Sequence, residues 1–292
     1  MGKQEQPLEV PLQAGPGAKP VVKWAGGKGQ LLKELHSRMP RSFRRYFEPF
    51  AGGAALFFSI SSQLDKGQAF LNDRNPELIN LYRVIQKQVD ELIVALRVHQ
   101  QHYEKNPKEY FYQVRACQPV RLTPLERASR LVFLNKTCFN GLYRVNRSGQ
   151  FNVPFGRYQK PAIVNEEGLR TASQALHKAT LTEMDFAEAV AEAKAGDFIY
   201  LDPPYQPVSA TANFTSYTDG AFHESEQKRL ARLFKELNQR GCHVLLSNSD
   251  SPMVHECYRD FHIHTVKANR AINSNAQRRK GVTEVMVCNY TV

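Results

Sequence analysis

The sequence predicts an α/β fold in which a mixed sheet, flanked by helices, is interrupted by a mainly helical insert. Strand and helix patterns alternate over residues 45–73 and again from about Ala179 onward. The 89 residues of segment 74–162 instead carry helix signals and a positive charge, with 15 Lys and Arg against 6 Asp and Glu. We therefore expect a sheet domain made of residues 21–73 and 163–292, with residues 74–162 forming a second, smaller domain.

The N-terminal segment and the composition argue against a secreted or membrane protein. Residues 1–20 are rich in Gly, Pro and Gln, so we expect a disordered tail with order beginning near Val21. The tail lacks the apolar core of a secretory signal, and no apolar run approaches the roughly 18 residues of a membrane span. The five cysteines form no C-x-x-C pair, which favours reduced thiols over structural zinc. We expect a cytoplasmic protein without a metal site.

The elements of the sheet domain follow from short apolar runs that end in turn residues and from longer runs with helical spacing. The expected strands are 45–50, 69–73, 180–183, 198–201, 243–247 and two more within 261–292. One helix is expected to begin at Ala55, and two further helices are expected over residues 186–195 and 224–240. A glycine-containing turn at 51–54 separates the first strand from the first of these helices.

Two helices are predicted in the basic segment. Asn75 caps the first, Pro76 occupies its first position, and apolar residues at helical spacing continue it to Leu96. The second begins with Thr123-Pro124-Leu125-Glu126, a capping box with proline at the first helical position, and runs to about Cys138.

A hairpin is predicted after the second helix. Two alternating runs with interspersed Arg and aromatic residues flank Asn146-Arg147-Ser148-Gly149. Because the excess charge is concentrated in segment 74–162, a polyanion-binding surface is favoured, with a solvated basic face as the alternative.

The turn after the first strand carries the signature of a nucleoside site. Glycine in Phe50-Ala51-Gly52-Gly53 lets a ligand approach the backbone, and Asp73, 21 residues after Gly52, is placed to bind ribose hydroxyls. This spacing favours an adenosine-type cofactor. A phosphate-binding P-loop fits less well, because Gly27-Lys28 lacks the upstream glycine at Val22.

The strand 198–201 ends in Asp202-Pro203-Pro204-Tyr205, at the sheet edge where α/β proteins bind ligands. Proline fixes the backbone, so the Asp202 carboxylate and a free carbonyl form two rigid acceptors side by side. Two acceptors match the two hydrogens of an exocyclic amine such as adenine N6, and Tyr205 can stack on the base. The tetrapeptide therefore predicts a site that grips a nucleobase amine.

Five motifs stand in an order typical of one enzyme family. They are KWAGGKGQLL, FEPFAGGAALFF, LNDRNPELINLY, FNGLYRVNRSGQFNVPFGRY and DFIYLDPPY. Together they resemble the Dam-type DNA adenine-N6 methyltransferases, the α-group enzymes that methylate adenine in GATC. The resemblance covers the chain from about Val21 to Tyr290. It implies a Rossmann-like methyltransferase fold that binds S-adenosyl-L-methionine, releases S-adenosyl-L-homocysteine and acts on double-stranded DNA.

The resemblance also implies the cofactor contacts. They are Trp24, Lys28, Phe50, Gly52, Asp73, Asp185, Phe186 and Asp202. Asp73 would hold the ribose, the Asp185-Phe186 pair would contact the cofactor's adenine, and Asp202 would contact both cofactor and target base. The family pattern F-x-G-x-G often has Gly where this chain has Ala54, which puts the detail of the turn in doubt.

On the DNA side the resemblance implies contacts from Lys23, Phe139, Asn140, Leu142, Arg144, Pro154 and Tyr158. Arg144 would contact a guanine with two hydrogen bonds, and Leu142 and Pro154 would contact thymine. Phe139 and Asn140 would fill the gap left by the extruded adenine. Ordinary hairpin packing is the alternative for the apolar residues, and a phosphate contact is the alternative for Arg144.

The expected reaction is direct methyl transfer to N6 of a flipped-out adenine by a monomer, with Asp202, Pro203, Pro204 and Tyr205 as catalytic residues. No cysteine follows a proline, so a covalent route through a thiol is not expected. Two alternatives remain at this point. One is a methyltransferase acting on RNA or on a protein amide, and the other is a non-catalytic DNA-binding protein on the same scaffold.

Overall fold

The computed structural model describes residues 8–9, 17–205, 222–268 and 282–291. Over these ranges the main sheet has seven strands. They are β3 (Tyr46–Glu48), β4 (Ala69–Asn72), β5 (Ala179–Thr182), β6 (Phe198–Leu201), β7 (His243–Ser249), β8 (His262–Ala268) and β9 (Val282–Cys288). A separate two-stranded sheet pairs β1 (Leu8–Glu9) with β2 (Ser42–Phe43).

The strand order β5-β4-β3-β6-β7-β9-β8 creates a crevice beside the first strand of the sheet. β3 is parallel to β4 on one side and to β6 on the other, so the chain winds outward in both directions from this pair. In doubly wound sheets ligands bind beyond the carboxyl ends of the strands at such a reversal. The turn after β3 and the tetrapeptide after β6 therefore lie next to each other.

Helices cover both faces of the sheet. Over the described residues they are α1 (Leu32–His36), α2 (Ala55–Ile60), α3 (Pro76–Lys87), α4 (Val89–Lys105), α5 (Pro107–Ala116), α6 (Pro124–Thr137), α7 (Glu166–Leu176), α8 (Phe186–Ala189), α9 (Glu224–Gln239) and α10 (Pro252–Cys257). Alternate residues of β6 point to opposite faces: Tyr200 packs in one core with α2 and α3, whereas Ile199 packs in another with α8 and α9. The predicted mixed α/β fold is confirmed.

Two predicted helices differ from the structure. The helix expected from Pro76 to Leu96 is two helices, because Gln88 has φ −141° and ψ 42° and ends α3 before α4 begins. The helix expected over 186–195 ends at Ala189, where the following Val190 leaves helical geometry. None of the described helices has the length and apolar character needed to cross a membrane.

The helix α3 packs on the sheet as well as on the helices of the basic segment, with contacts to α6, α7 and β5. Its Gln86 side chain donates hydrogen bonds to the carbonyls of Leu176 and Ala179 at 2.6 and 3.0 Å. Most of the tail expected over residues 1–20 lies outside the described residues, but Ala18 is buried. The loop expected within 261–292 also lies outside them.

The capping box and the hairpin of the basic segment are both present. The Thr123 hydroxyl accepts from the Glu126 N–H, and the Glu126 carboxylate accepts from the Thr123 N–H, so α6 begins where predicted. Val145 then pairs with Phe151 around the predicted turn, and Cys138 pairs with Phe155 nearer the base.

Candidate active site at the carboxyl ends of β3 and β6

The acidic residue of the tetrapeptide forms a buried ion pair with a lysine from the N-terminal segment. Lys28 Nζ lies 2.8 Å from Asp202 Oδ1 and also donates to the Gly26 carbonyl at 2.8 Å. The same ammonium lies 4.5 Å from the centre of the Tyr205 ring. Asp202 keeps 17% of its side-chain exposure, so a ligand can still reach it. The structure thus brings three of the candidate site residues together, namely Lys28, Asp202 and Tyr205.

The environment of Asp202 moves its titration toward neutral pH. Burial raises the pKa of its carboxyl to about 6, the positive charge of Lys28 opposes this shift, and the negative charge of Glu284 adds to it. Above that pH the carboxylate is an acceptor without a proton, which suits it to hold an amine.

Side chains from other elements hold the rest of the tetrapeptide. The Tyr205 hydroxyl donates to Glu284 Oε2 at 2.8 Å, and Gln227 Nε2 donates to the Pro204 carbonyl at 3.3 Å. Gln227 is in turn held by Asn248 Nδ2 at 3.0 Å, and both side chains are buried. Sequence reasoning missed these three residues. Only Glu284 gave a signal, as an acid within the apolar strand β9.

The glycine turn is tied to the predicted ribose-binding acid. Gly52, at φ +48°, donates its N–H to Asp73 Oδ2 at 2.9 Å, and the Asn75 N–H binds Oδ1 at 2.9 Å. Burial raises the pKa of Asp73, and the two backbone hydrogen bonds oppose that shift. Each carboxylate oxygen retains a further acceptor site, so Asp73 fits a ribose ligand.

Two further features shape this turn. Ala54 stands at φ 51°, the left-handed conformation that its place in the glycine pattern requires. Trp24 packs on Gly52, where an added Cβ would lie 3.1 Å from the indole, and stacks on Tyr143 at 5.0 Å between ring centres. The structure therefore places Trp24 beside the turn at Gly52.

Aromatic rings line the crevice beside the turn. Phe50 stacks on Phe186 at 5.2 Å between ring centres, and Phe222 lies against both rings. Arg229 covers the Phe186 ring at 4.5 Å and pairs with Asp185. Burial would raise the pKa of the Asp185 carboxyl, but hydrogen bonds from Arg229 and the Ala187 N–H hold it below its usual value. These rings form a flat apolar surface of the kind on which an adenine ring can pack.

Glu48 is a buried acid beneath the site that sequence reasoning missed. Its carboxyl accepts a hydrogen bond from the Tyr46 hydroxyl at 2.8 Å. Burial raises the pKa of Glu48 to about 8, the Tyr46 hydrogen bond opposes this, and the charge of Asp202 adds to it. Glu48 is therefore mainly protonated at neutral pH. The described residues contain no group of three or more His, Cys, Asp or Glu arranged for a metal ion.

One buried amide connects the N-terminal segment to the hairpin. Asn135 Oδ1 accepts from the Lys23 N–H at 2.9 Å, and its Nδ2 donates to the carbonyls of Lys23 and Gly141, each at 2.8 Å. Lys23 is thereby held beside the hairpin while its side chain remains exposed. Sequence reasoning also missed Asn135.

The predicted DNA contacts from the hairpin lie close in the chain, and most are exposed. Phe139 and Tyr158 are 49% and 41% exposed, Arg144 and Pro154 are exposed, and Leu142 is half-buried. Asn140 stands at φ 56° in the turn after α6. The Arg144 guanidinium is held across the hairpin, since its Nε donates to Asn152 Oδ1 at 2.6 Å and its Nη2 to the Asn152 carbonyl at 3.3 Å.

A doubly wound sheet with a glycine turn and an acidic tetrapeptide at its reversal point defines an α/β protein that binds a nucleoside-type ligand at that point. Residues 24–272 match the family model described as D12 class N6 adenine-specific DNA methyltransferase, and the chain belongs to this family. The sequence-based prediction of an adenine-specific DNA methyltransferase is thereby confirmed. Use of S-adenosylmethionine is implied by the family.

Similar proteins span nearly the whole chain. A type II methyltransferase, M1.LlaDCHI, of Lactococcus lactis subsp. cremoris is 43% identical over 278 residues, covering 93% of this chain and 95% of that protein. The type II methyltransferase M.MjaIII of Methanocaldococcus jannaschii is 37% identical over 291 residues, covering 93% and 99%. The DNA adenine methylase of Escherichia coli strain K12 is 37% identical over 265 residues, covering 91% and 93%.

Proposed function

We propose that this enzyme methylates N6 of a flipped-out adenine within GATC in duplex DNA, by direct transfer from S-adenosylmethionine and as a monomer. The observation that carries the proposal is the position of Asp202-Pro203-Pro204-Tyr205 at the crevice between β3 and β6, beside the turn at Gly52. The crevice supplies a nucleoside-shaped site and the tetrapeptide supplies acceptors for an amine within one cleft.

The cofactor would be held by residues that surround the turn after β3. The Phe50 and Phe186 rings would receive its adenine, Asp73 its ribose hydroxyls, and the backbone at Gly52 would allow a close approach. When bound, S-adenosylmethionine supplies an electrophilic methyl group. Trp24 and Lys28 complete the wall of the site from the N-terminal segment.

The tetrapeptide would orient the target amine. Asp202 accepts one N–H of the amine, and the Pro203 carbonyl accepts the other, because the Pro204 carbonyl is already bound by Gln227. With both hydrogens held, the nitrogen lone pair points away from these acceptors and toward the cofactor side of the cleft. Tyr205 stacks on the extruded base, which must leave the duplex to reach it. Orientation of this kind can supply a large part of a rate enhancement.

The hairpin would read the sequence around the base. Arg144 presents a guanidinium held by Asn152, and Arg is well suited to bind guanine O6 and N7 through two hydrogen bonds. Leu142 and Pro154 would contact thymine methyl groups, and Phe139 and Asn140 would occupy the space left by the adenine. Lys23 and Tyr158 would add contacts at the edge of this surface.

The test uses duplex DNA containing GATC, incubated with the enzyme and S-adenosylmethionine and then cut by nucleases of opposite methylation sensitivity. We expect protection from a nuclease blocked by N6-methyladenine and cutting by one that requires it. Methyl uptake without a change in cutting at GATC would mean that the enzyme recognises a different DNA sequence. Absence of methyl uptake into any DNA would overturn the proposal.

The variant Asp202→Ala tests the proposed role of the tetrapeptide in methyl transfer. We expect it to lose methylation while retaining DNA binding within about threefold, because Asp202 acts on the amine rather than on the duplex. The exposed Asp65→Ala should behave as wild type. Normal turnover by Asp202→Ala would contradict the catalytic role.

A further inference from the structure

We propose that Glu284 is a positioning residue that holds the Tyr205 ring in one position for stacking against the target base. The inference rests on the proposed function, in which Tyr205 receives that base. It is carried by the hydrogen bond from the Tyr205 hydroxyl to Glu284 Oε2, which is 2.8 Å long and largely shielded from water.

The sheet topology places Glu284 at the active-site edge. β9 runs antiparallel between β7 and β8, and Glu284, near its start, lies opposite Ser249, the last residue of β7. Because β7 is parallel to β6, this is the same edge at which β6 leads into the tetrapeptide. The last strand of the sheet thus delivers a carboxylate to a tyrosine 79 residues earlier in the chain.

A carboxylate 8% exposed within an apolar strand is costly unless it is bound by donors. The bond it makes to Tyr205 is at the far end of a ring whose near end follows two prolines with fixed φ. The ring is therefore held at both ends, which restricts rotation about the Cα–Cβ bond and keeps the ring in one position. A platform fixed in this way favours one orientation of a stacked base, and a small misplacement of reacting groups lowers the rate strongly.

Glu284 also acts on the charge balance of Asp202. The titratable groups that face or couple to Asp202 are Lys28 from the turn before α1, Tyr46 and Glu48 from β3, Tyr200 from β6, Tyr205 after it, and Glu284 from β9. The negative charge of Glu284 raises the pKa of Asp202. Neutral glutamine at this position would keep the acceptor for Tyr205 and shift the acid limb of kcat to lower pH.

The experiment compares three substitutions in kcat and KM. We expect Glu284→Ala to lower kcat about tenfold with KM for DNA changed less than about threefold, because the ring loses its anchor but the DNA surface is intact. Glu284→Gln should retain kcat within about threefold at pH 8. In a Tyr205→Phe background, Glu284→Ala should cause no further loss, since its effect passes through the hydroxyl.

A second readout is independent of methylation. Fluorine NMR of the cofactor-free protein with 3-fluorotyrosine at position 205 should give one sharp resonance in the wild type and in Glu284→Gln, and a shifted or broadened one in Glu284→Ala. Ser61→Ala is the matched control for stability, because it removes another buried hydrogen bond, from the Ser61 hydroxyl to the Phe58 carbonyl at 2.9 Å. It should leave kcat and the resonance unchanged.

The proposal would be overturned if Glu284→Ala kept the wild-type kcat, or if Glu284→Gln lost as much kcat as Glu284→Ala. It would also be overturned if Glu284→Ala lowered kcat further in the Tyr205→Phe background. An unchanged resonance in Glu284→Ala would also overturn it. If the wild type shows no methyl uptake into DNA, the proposed function fails, and the fluorine resonance still decides whether Glu284 holds the ring.

Discussion

At the level of single residues, the ion pair between Lys28 and Asp202 favours the ionised form of the Asp202 carboxyl at neutral pH. Asp202 lies among Glu48, Glu284 and two buried tyrosine hydroxyls, and Lys28 is the cation that contacts it. Without that cation the remaining neighbours favour the protonated form, which is a weaker acceptor for an amine N–H than the carboxylate is.

Substitution of Lys28 tests this dependence. In Lys28→Met the pKa of Asp202 should rise above its value of about 6, because burial and Glu284 then act without opposition. The acid limb of kcat should move to higher pH, so activity falls roughly tenfold at pH 7 and recovers in part near pH 9. The exposed Lys33→Met serves as the control. An acid limb that does not move would show that Lys28 does not set the charge of Asp202.

The guanidinium of Arg144 supports a second prediction at this scale. Since Asn152 holds it in one orientation, Arg144→Ala should reduce discrimination against a replaced guanine by about 1–3 kcal/mol, measured as a ratio of kcat/KM values. The control, Arg121→Ala, removes an exposed arginine outside the hairpin and should preserve that ratio. An equal loss of kcat/KM on every DNA sequence would show instead that Arg144 contacts a phosphate.

At the level of elements, local signals predicted the starts of helices better than their ends. Asn75 and Thr123 cap α3 and α6 through hydrogen bonds to residues within three positions, so the sequence alone identifies them. The break at Gln88 left no such signal. The apolar spacing continues across it, because α3 and α4 both bury one face, and the change of direction depends on packing against α6 and α7.

The hairpin base gives a prediction at this scale. A Cβ added at Gly156 would lie 2.7 Å from the Cys138 carbonyl oxygen and 2.5 Å from the Tyr158 ring. The two backbone segments at the base of the hairpin could then not approach each other as closely. Gly156→Ala should reduce the free energy of unfolding by about 1–3 kcal/mol, measured by urea denaturation. Gly29→Ala, where an added Cβ meets nothing within 4 Å, is the control. Equal stability of the two variants would contradict this account.

At the level of the whole molecule, the site combines what sequence reasoning could and could not find. The tetrapeptide and the glycine turn are contiguous motifs, so their chemistry was predictable, and the doubly wound sheet brings them together. Glu284 reaches the tetrapeptide because β9 pairs with β7, and Gln227 reaches it from α9, where Asn248 of β7 holds its side chain. Strand order of this kind depends on the global fold, and no local sequence pattern predicts it.

The uneven charge gives a prediction for the whole molecule. With 15 basic and 6 acidic residues in segment 74–162, affinity for duplex DNA should fall steeply with salt. Lys160→Ala should lower the magnitude of the slope of log K against log salt by about 1 without changing sequence preference. Lys33→Ala, outside this segment, should leave the slope unchanged. An unchanged slope for Lys160→Ala would exclude a phosphate contact there.

The amide of Asn135 links the surface proposed to bind the cofactor to the surface proposed to bind DNA. It binds both backbone groups of Lys23, next to the Trp24 that packs on the cofactor turn, and it also binds the carbonyl of Gly141 at the start of the hairpin. A movement of Trp24 would therefore be transmitted to the hairpin without passing through the sheet. By reciprocity, any free energy that one ligand spends in shifting this amide changes the affinity for the other ligand by the same factor.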